Sequence, residues 1–220
     1  MIPISIEARD LPEAWFLCLN ELIDKGRIYT IDEGSYAGQQ RLEFEYVTVR
    51  VKYPSARPLL PEVPPGLGFP PPVAEGYLEE YLPYLMTDRR KEGEDYTYGE
   101  RICFQIEEVI RMYRQQGPGT NQACMAVEKP ADIWRKDPPC LRLIDTRIYD
   151  GKLNFIVYFR SWDLWGGFPA NLGALQLMKE YIAGQVGVED GEIIAASKGL
   201  HLYDYVWDLA ERRTNKKIQR

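Results

Sequence analysis

The segment from Cys140 to Asp163 constrains the fold of this chain more than any other. It reads CLRLIDTRIYDGKLNFIVYFRSWD, which is two β-prone runs separated only by Asp150 and Gly151. Asp-Gly between two such runs is a strong signal for a tight hairpin turn. The pattern therefore predicts two antiparallel strands, with Cys140 at the start of the first and Arg160 near the end of the second.

Helical patterns accompany this hairpin along the chain. Apolar residues recur at helical spacing in EAWFLCLNELIDKG, ICFQIEEVIRMYRQQG and NLGALQLMKEYIAGQVG, and each run ends at glycine. EGYLEEYLPYLMT predicts a further helix, in which Pro83 would impose a kink or an early stop. Shorter strands are predicted in NQACMAVE and GEIIAASKGLHLYDYVW. Long helices between paired antiparallel strands are typical of the α+β class.

The segment RLEFEYVTVRVKY alternates between apolar and polar residues, but the alternation changes phase. Leu42, Phe44 and Tyr46 would share one face, whereas the apolar positions that follow begin at Val47 and Val49. A period of two that slips by one residue is typical of a bulge. We therefore interpret this segment as one long, bulged strand.

The proline-dense segment YPSARPLLPEVPPGLGFPPPVAEG excludes a regular element. It could be an interdomain linker, but it carries the apolar residues Leu59, Leu60, Val63, Leu67 and Phe69. This apolar content favours a loop packed on the body of the protein. The chain of 220 residues suits one sizeable domain, so we predict a single domain over residues 1–220.

The charge balance and the cysteines limit the possible functions. A net charge of −6 argues against a nucleic-acid or membrane partner, so an anionic ligand would need a local cationic pocket. No apolar run approaches a membrane span, and no secretion signal opens the sequence, so we expect a cytoplasmic protein. Four cysteines without a CxxC pair, and a single histidine, argue against a zinc site.

Polar residues with no evident structural purpose stand at the edges of the predicted elements. They are Arg160, Ser161 and Asp163 after the hairpin, Gly166, Gly167 and Asn171 before the last long helix, and His201 and Tyr203 in GLHLYDY. His201 and Tyr203 are two residues apart on a predicted strand, so both side chains would point to the same face. Together with Cys140, the set indicates a nucleophile beside a site for an anionic, hydrogen-bonding ligand.

Each of these residues also has an ordinary structural interpretation. A cysteine is most often a small core residue. Arg160 could close an ion pair, Asn171 could cap the following helix, and His201 could be a core histidine. Two prolines directly before Cys140 favour the site interpretation, because they restrict the backbone that carries the thiol.

The order of the motifs resembles the thymidylate synthase family. Pro-Pro-Cys, Arg-Ser-x-Asp, Gly-x-Pro-x-Asn and His-x-Tyr stand here as DPPC, FRSWD, GGFPAN and HLYDY. The spacing from Cys140 to Arg160, Asn171 and His201 is also similar to the family's. The resemblance covers roughly residues 120–205 and is strongest to the short, methanogen-type (archaeal) branch.

The resemblance implies a fold, an activity and partners. The fold would be a bent, mixed or antiparallel β-sheet with packed helices, and two copies would pair sheet to sheet in a homodimer. The activity would be the reductive methylation of deoxyuridylate (dUMP) to thymidylate (dTMP). The donor would be methylene-tetrahydrofolate or methylene-tetrahydromethanopterin, and no metal is implied.

The resemblance also implies roles for individual residues. Cys140 would attack carbon 6 of the uracil ring as a thiolate. Arg160 and Ser161 would hold the phosphate, and the Asn171 amide would bind the pyrimidine edge. The remaining roles are binding of the deoxyribose 3′ hydroxyl by His201 and Tyr203, and binding of the pterin by Asp163 and Gly167.

The N-terminal half matches the family in two short motifs. EYLPYL is similar to the family's glutamate-led helix, which makes Glu80 a candidate general acid/base that works through water. YTYGER is similar to the family's Tyr-Gly turn, which would place Tyr98 near the cysteine.

The chain departs from the family at the phosphate. Neutral Asn121 and Gln122 stand where the family has paired arginines that reach the phosphate across the dimer. The segment IDEGSYAGQQ has no clear match to the arginine of the family's N-terminal phosphate loop. Arg41, Arg135 and Lys198 are candidate replacements.

Two other functions stay open on the sequence. The first is a pyrimidine nucleotide (dCMP or dUMP) hydroxymethylase, in which water would replace the hydride. Asn171 favours uracil, because the related cytosine enzymes tend to carry aspartate there. The second is a nucleotide-binding or RNA-binding relative that has lost catalysis together with its arginines.

Overall fold

The computed structural model describes residues 1–33, 36–64 and 66–220. Gly34 and Ser35, in the segment compared with the family's phosphate loop, and Pro65, in the proline-dense loop, lie outside the described residues. The helices are α1 (Leu11–Lys25), α2 (Tyr77–Met86), α3 (Gly99–Gln116), α4 (Gly167–Val186) and α5 (Trp207–Thr214). The strands are β1 (Pro3–Ala8), β2 (Arg27–Thr30), β3 (Gln40–Glu43), β4 (Tyr46–Val51), β5 (Cys124–Ala126), β6 (Leu141–Tyr149), β7 (Lys152–Phe159), β8 (Trp162–Asp163), β9 (Glu189–Ser197) and β10 (Leu200–Tyr203).

The strands form two mixed sheets. The larger sheet has the order β1-β4-β9-β7-β6-β5, and the smaller has the order β2-β3-β10-β8. In the larger sheet, β1 runs parallel to β4 and β7 runs parallel to β9, while the other pairs are antiparallel. Side chains alternate between buried and less buried along β4, β7 and β9, and helices α1, α3 and α4 contact the sheet. The predicted α+β class is confirmed, whereas the single-domain organisation over residues 1–220 stays a proposal.

The hairpin forms where the sequence predicts it. Asp150 and Gly151 both have positive φ, of 49° and 73°, and they connect β6 to β7. Positive φ at both central residues is the requirement of the tight turn that matches strand twist. At the open end of the hairpin, the Arg160 N–H donates to the Cys140 carbonyl at 2.9 Å. The hairpin therefore places the thiol residue beside the arginine.

The interpretation of RLEFEYVTVRVKY as one bulged strand is wrong. Its first half is β3 in the smaller sheet and its second half is β4 in the larger sheet. The chain leaves one sheet at Phe44, whose N–H donates to the Leu200 carbonyl at 3.0 Å, and enters the other at Tyr46. Phe44 and Val47 are both buried. The phase slip arises because the segment changes sheets and so presents its apolar side chains to a new partner.

Helix α2 does not stop at Pro83 but continues to Met86. The Thr87 N–H donates to the Pro83 carbonyl at 3.0 Å, which completes the last turn. A side chain on Gly99 would overlap the Thr87 backbone, so only glycine allows α3 to begin this close to the end of α2. This close approach fixes the position of the neighbouring Tyr98.

The proline-dense loop packs on the body of the protein, as predicted. Leu59 and Val73 are buried, and Leu60 packs against the core. The ring of Phe69 lies 5.9 Å from that of Trp165. Within the described residues, no helix has the length and apolar character needed to cross a membrane.

Candidate active site

A cavity of about 770 Å³ lies beside the open end of the β6–β7 hairpin. Its walls include four of the predicted site residues, namely Cys140, Arg160, Ser161 and Tyr203. The walls also include charged side chains, namely Arg41, Arg135, Lys136, Glu33, Asp95 and Asp137. The volume lies in the range of small-molecule sites.

Cys140 is half-buried at the wall of this cavity rather than sealed in the core. Burial raises the pKa of its thiol, Arg160 lowers it, and Asp137 raises it further. The effect of burial on this pKa is larger than that of Arg160. The ligand-free protein holds a neutral thiol at neutral pH, and thiolate formation requires a change in its surroundings.

Arg160 binds the loop that carries the thiol. Its Nε donates to the carbonyls of Pro138 and Pro139, each at 3.2 Å, and its Nη2 donates to Pro138 at 2.5 Å. Nη2 also donates to an Asp137 carboxylate oxygen at 3.0 Å. The two prolines thus restrict the backbone, and the guanidinium holds their carbonyls. The bonds to the two carbonyls were not predicted from the sequence, whereas the Asp137 contact matches the ion pair that Arg160 could close.

A bulge directly follows the candidate nucleophile. The pairing of β6 with β7 shifts by one residue between Leu141 and Leu143. Bulges re-aim nearby side chains and are common beside active sites. The Leu141 N–H faces the Tyr98 hydroxyl at 3.4 Å, so Tyr98 lies next to Cys140, as predicted. Burial raises the pKa of Tyr98, which therefore stays a neutral phenol.

His201 and Tyr203 occupy different depths. Tyr203 lines the cavity and stacks on Tyr36, with ring centroids 4.5 Å apart. His201 is only 1% exposed, its Nδ1 lies 2.8 Å from the Gly199 carbonyl, and its ring meets the edge of Tyr203. Burial lowers the pKa of His201, so the imidazole is neutral. Of the two residues, only Tyr203 reaches this cavity.

Asn171 lies inside α4 rather than in the turn before it. Its Oδ1 accepts from Trp162 Nε1, and its Nδ2 donates to the Tyr81 hydroxyl, both at 2.8 Å. The alternative that Asn171 caps the helix is therefore wrong. These bonds leave one amide N–H and one lone pair for a ligand. Asn171 faces a separate cavity of about 330 Å³.

Asp163 and Gly167 line the same smaller cavity. The Asp163 carboxylate accepts from the N–H groups of Trp165, Gly166 and Gly167 at 3.1, 3.0 and 2.8 Å. These bonds satisfy donors that the start of α4 would otherwise leave unpaired. A side chain on Gly167 would crowd Asp163, with 3.3 Å between the two Cβ atoms. Both residues thus have a structural task that the sequence did not reveal.

Glu80 is exposed on α2 and lines a third cavity, of about 780 Å³, together with Tyr98. A row of tyrosines runs along this wall, with successive ring distances of 5.9, 5.4 and 5.3 Å between Tyr77, Tyr81, Tyr84 and Tyr98. The first two line the smaller Asn171 cavity as well. The signal for this row was the helical spacing of tyrosines in YLEEYLPY.

The neutral residues that replace the family's paired arginines lie outside the cavity that contains Cys140. Asn121 and Gln122 are exposed before β5 and do not line the Cys140 cavity. Of the candidate replacement cations, Arg41 and Arg135 line it, whereas Lys198 does not. In residues 1–33, 36–64 and 66–220, no group of three metal-ligating side chains converges.

Comparison with known proteins shows which family this chain is similar to. The sequence model of the family described as thymidylate synthase matches residues 83–220. A protein of Methanosarcina acetivorans named "Putative thymidylate synthase" is 32% identical over 212 residues, which cover 94% of this chain and 92% of that protein. A protein of the same name from Methanothermobacter thermautotrophicus is 27% identical over 219 residues, covering 94% and 96%. The thymidylate synthase of Listeria monocytogenes serotype 4a is 35% identical over 107 residues, covering 48% and 33%.

The chain belongs to the thymidylate synthase family. The predicted resemblance to the methanogen type and the prediction of a methyltransferase are confirmed. The family uses a folate-type co-substrate. The cytoplasmic location and the roles of individual residues stay predictions.

The raised pKa of Cys140 predicts a distinctive pH dependence of its alkylation. Only the thiolate reacts, so the iodoacetamide rate at Cys140 is expected to keep rising above pH 9. Asp137→Asn removes a charge that raises this pKa, and because Asp137 is 81% exposed the expected gain at pH 8 is only about two- to threefold. Peptide mass spectrometry in a Cys124→Ser background would measure the rate, since Cys124 is exposed.

Asp150→Asn, in the hairpin turn, is the matched control and is expected to leave the alkylation rate unchanged. A rate at Cys140 that is already constant between pH 7 and pH 9 would contradict the prediction, because the thiolate would then be formed without a ligand.

Proposed function

We propose that this protein catalyses the reductive methylation of deoxyuridylate to thymidylate. The observation that carries the proposal is the half-buried Cys140 thiol in one cavity with Arg160, Ser161 and Tyr203. This combination offers a nucleophile, a cation and two hydroxyls to a single ligand of nucleotide size. The donor of the methylene group and of the hydride would be methylene-tetrahydrofolate or methylene-tetrahydromethanopterin.

The Cys140 sulfur would form a bond to carbon 6 of the uracil ring, and carbon 5 would thereby become nucleophilic. Elimination of the sulfur at the end of the reaction restores the thiol. Because burial raises the pKa of Cys140, ligand binding must favour loss of its proton. Ser161 and Tyr203 would donate hydrogen bonds to oxygens of the nucleotide.

Tyr81 binds the Asn171 amide and lies within electrostatic range of the Cys140 thiol. Its hydroxyl accepts from Asn171, and it lies near enough to Cys140 for a thiolate there to raise its pKa. Tyr98 is near the thiol in the same way. The proximity of Tyr81 to both groups supports the proposed role of the Asn171 amide at a base bonded to Cys140.

Glu80 lines the same cavity as the tyrosine row. We keep its proposed role as a general acid/base that works through water, since its carboxylate does not reach the thiol cavity directly. Asp163 and Gly167, in the smaller cavity, stay the proposed pterin contacts, and His201 would support the sugar through Tyr203.

A homodimer paired through the larger sheet also stays a proposal. The sheet face opposite the helices carries apolar side chains that the chain itself leaves uncovered. Ile156 is 40% exposed, and Tyr158 and Ile194 are half-buried. Such a surface supports sheet-to-sheet pairing.

The test is trapping with 5-fluorodeoxyuridylate and a methylene donor. The fluorine at carbon 5 cannot leave as a proton would, so the ring is expected to stay bonded to Cys140 and to the donor. Intact-mass analysis should show one added nucleotide plus one donor, and peptide mapping should place both at Cys140. Absence of an adduct with both the folate and the methanopterin donor would contradict the proposal.

Product analysis separates the remaining alternatives. Thymidylate from deoxyuridylate is the expected product. A hydroxymethyl product without thymidylate, from deoxyuridylate or deoxycytidylate, would identify a hydroxymethylase instead. Nucleotide binding without any product would identify a relative without catalysis.

A further inference from the structure

We infer that Arg135, together with Lys136 and Arg41, binds the 5′-phosphate of the nucleotide. The inference rests on the proposed function and identifies the cations that replace the arginines missing at Asn121 and Gln122. All three side chains line the cavity that contains Cys140.

Arg160, the cation that the sequence indicates for the phosphate, is largely engaged elsewhere. Its Nε and Nη2 donate to the carbonyls of Pro138 and Pro139 and to the Asp137 carboxylate. Withdrawal of Arg160 would release the loop that holds the thiol. In the part of the chain that the structure describes, only Nη1 of this guanidinium lacks a hydrogen-bond partner. Further cations are therefore needed for a phosphate with two negative charges.

Arg135 is held in place by a buried network. Its Nε lies 3.0 Å from an Asp132 carboxylate oxygen, and Asp132 is itself bound through two nitrogens of the buried Arg101. The ring of Tyr96 lies beneath both guanidinium groups, at 5.6 Å from that of Arg135 and 4.7 Å from that of Arg101. Arg135 itself is 40% exposed, so the network fixes its stem and leaves its end at the cavity wall.

The free end of Arg135 has the geometry that a phosphate requires. Because Nε is occupied by Asp132, the two terminal nitrogens remain, and they make no hydrogen bond to any described residue. Two parallel N–H groups can bind two phosphate oxygens at once. An arginine that is already oriented loses less conformational entropy on binding than a free side chain.

The neighbouring cations complete the site. Lys136 follows Arg135 and forms no ion pair with a described residue, while Arg41 enters from β3 with Glu43 at 2.8 Å. Among the described lining residues, four cations face three carboxylates, and Asp137 is paired with Arg160. Since Arg41, Arg135 and Arg160 each have a carboxylate partner, the cationic donors that these described residues offer to an anion are Lys136 and the terminal nitrogens of Arg135.

The test compares deoxyuridylate with deoxyuridine, which lacks the phosphate. Arg135→Gln is expected to weaken deoxyuridylate binding roughly 10- to 100-fold, and Lys136→Gln roughly threefold, because each removes a charge-assisted bond to phosphate. Deoxyuridine binding is expected to change less than twofold in both variants. Calorimetry would measure the nucleotide, and competition against it would measure the nucleoside.

Two further readouts separate phosphate binding from a structural effect. Inorganic phosphate should compete with deoxyuridylate in the wild-type protein and much less in Arg135→Gln. Arg135→Lys keeps the charge and is expected to recover part of the affinity. Lys198→Gln is the matched control, since Lys198 does not line the cavity, and it should bind deoxyuridylate like the wild type.

The inference would be overturned if Arg135→Gln lost affinity for deoxyuridylate and deoxyuridine equally. It would also be overturned if the double variant, Arg135→Gln with Lys136→Gln, bound deoxyuridylate with unchanged affinity. In the latter case an adduct of 5-fluorodeoxyuridylate on Cys140 would leave the proposed function intact. Conversely, phosphate-selective binding that depends on Arg135, without any adduct or product, would support the inference and contradict the proposed function.

Discussion

Cys140→Ser is expected to reduce thymidylate formation roughly ten-thousandfold or more. The hydroxyl of serine ionises far less readily than a thiol, and the neighbouring Arg160 cannot make up the difference. Losses of this size follow removal of the nucleophile in other enzymes that act through a covalent intermediate. Release of tritium from carbon 5 of deoxyuridylate would measure the early steps, and chromatography of thymidylate would measure the complete reaction.

The expected loss is specific to this cysteine. Cys103→Ser alters another half-buried thiol, on α3, and is expected to keep the wild-type rate within about twofold. Deoxyuridylate binding should survive in Cys140→Ser, because Arg135 and Tyr203 are unchanged. Tritium release at the wild-type rate from Cys140→Ser would exclude Cys140 as the nucleophile.

Asp132→Asn is expected to be the most destabilising of the substitutions considered. Asp132 and Arg101 are both buried and form an ion pair through two hydrogen bonds. Loss of one partner leaves a buried, uncompensated guanidinium, which typically costs about 3 to 5 kcal/mol of unfolding free energy. For a chain of 220 residues this corresponds to a fall in Tm of roughly 6 to 20 °C, measurable by calorimetry.

The charge of Asp132 also predicts how this loss depends on pH. Arg101 lowers the pKa of Asp132 to about 2. A lowered pKa stabilises the folded protein above the ordinary carboxylate pKa of about 4, and the stabilisation is lost as the pH falls through about 2. The difference in unfolding free energy between wild type and Asp132→Asn should therefore shrink between pH 4 and pH 2.

Two variants test whether the loss of stability comes from the unpaired, buried charge of Arg101. Arg101→Met combined with Asp132→Leu removes both charges and is expected to recover most of the lost stability. Glu108→Gln breaks an exposed pair with Arg111 and should cost less than about 1 kcal/mol. If the double variant is no more stable than Asp132→Asn, packing rather than charge explains the loss.

Local signals in the sequence predicted those elements that depend on few neighbours. The Asp150-Gly151 turn requires positive φ at adjacent residues, which these residue types tolerate, and the hairpin forms there. The phase slip after Phe44 was also visible, but its meaning depended on a second sheet. A bulge and a change of sheet produce the same phase slip in the sequence, because both move the apolar positions to the opposite face of the strand.

In the candidate site as well, the sequence predicted some features and the tertiary structure decided others. Motif order predicted Cys140, Arg160 and Tyr203 as site residues, and the fold brings them to one cavity. The sequence did not show that Asp163 binds the start of α4, because its bonds go to backbone N–H groups that every residue carries. Nor did it show that His201 lies behind Tyr203, since alternation along a strand gives direction but not depth.

The sequence by itself determined the α+β class, the hairpin and the thiol that follows two prolines, because turn chemistry and apolar periodicity act over a few residues. Only the tertiary structure decided which cations face that thiol. Arg160 is engaged with the Pro138 carbonyl, whereas Arg135 is held at the cavity wall by Asp132. For each guanidinium, a carbonyl, a carboxylate and a ligand compete as hydrogen-bond partners. Which partner is bound depends on distances between residues that are far apart in the sequence, and sequence spacing does not give these distances.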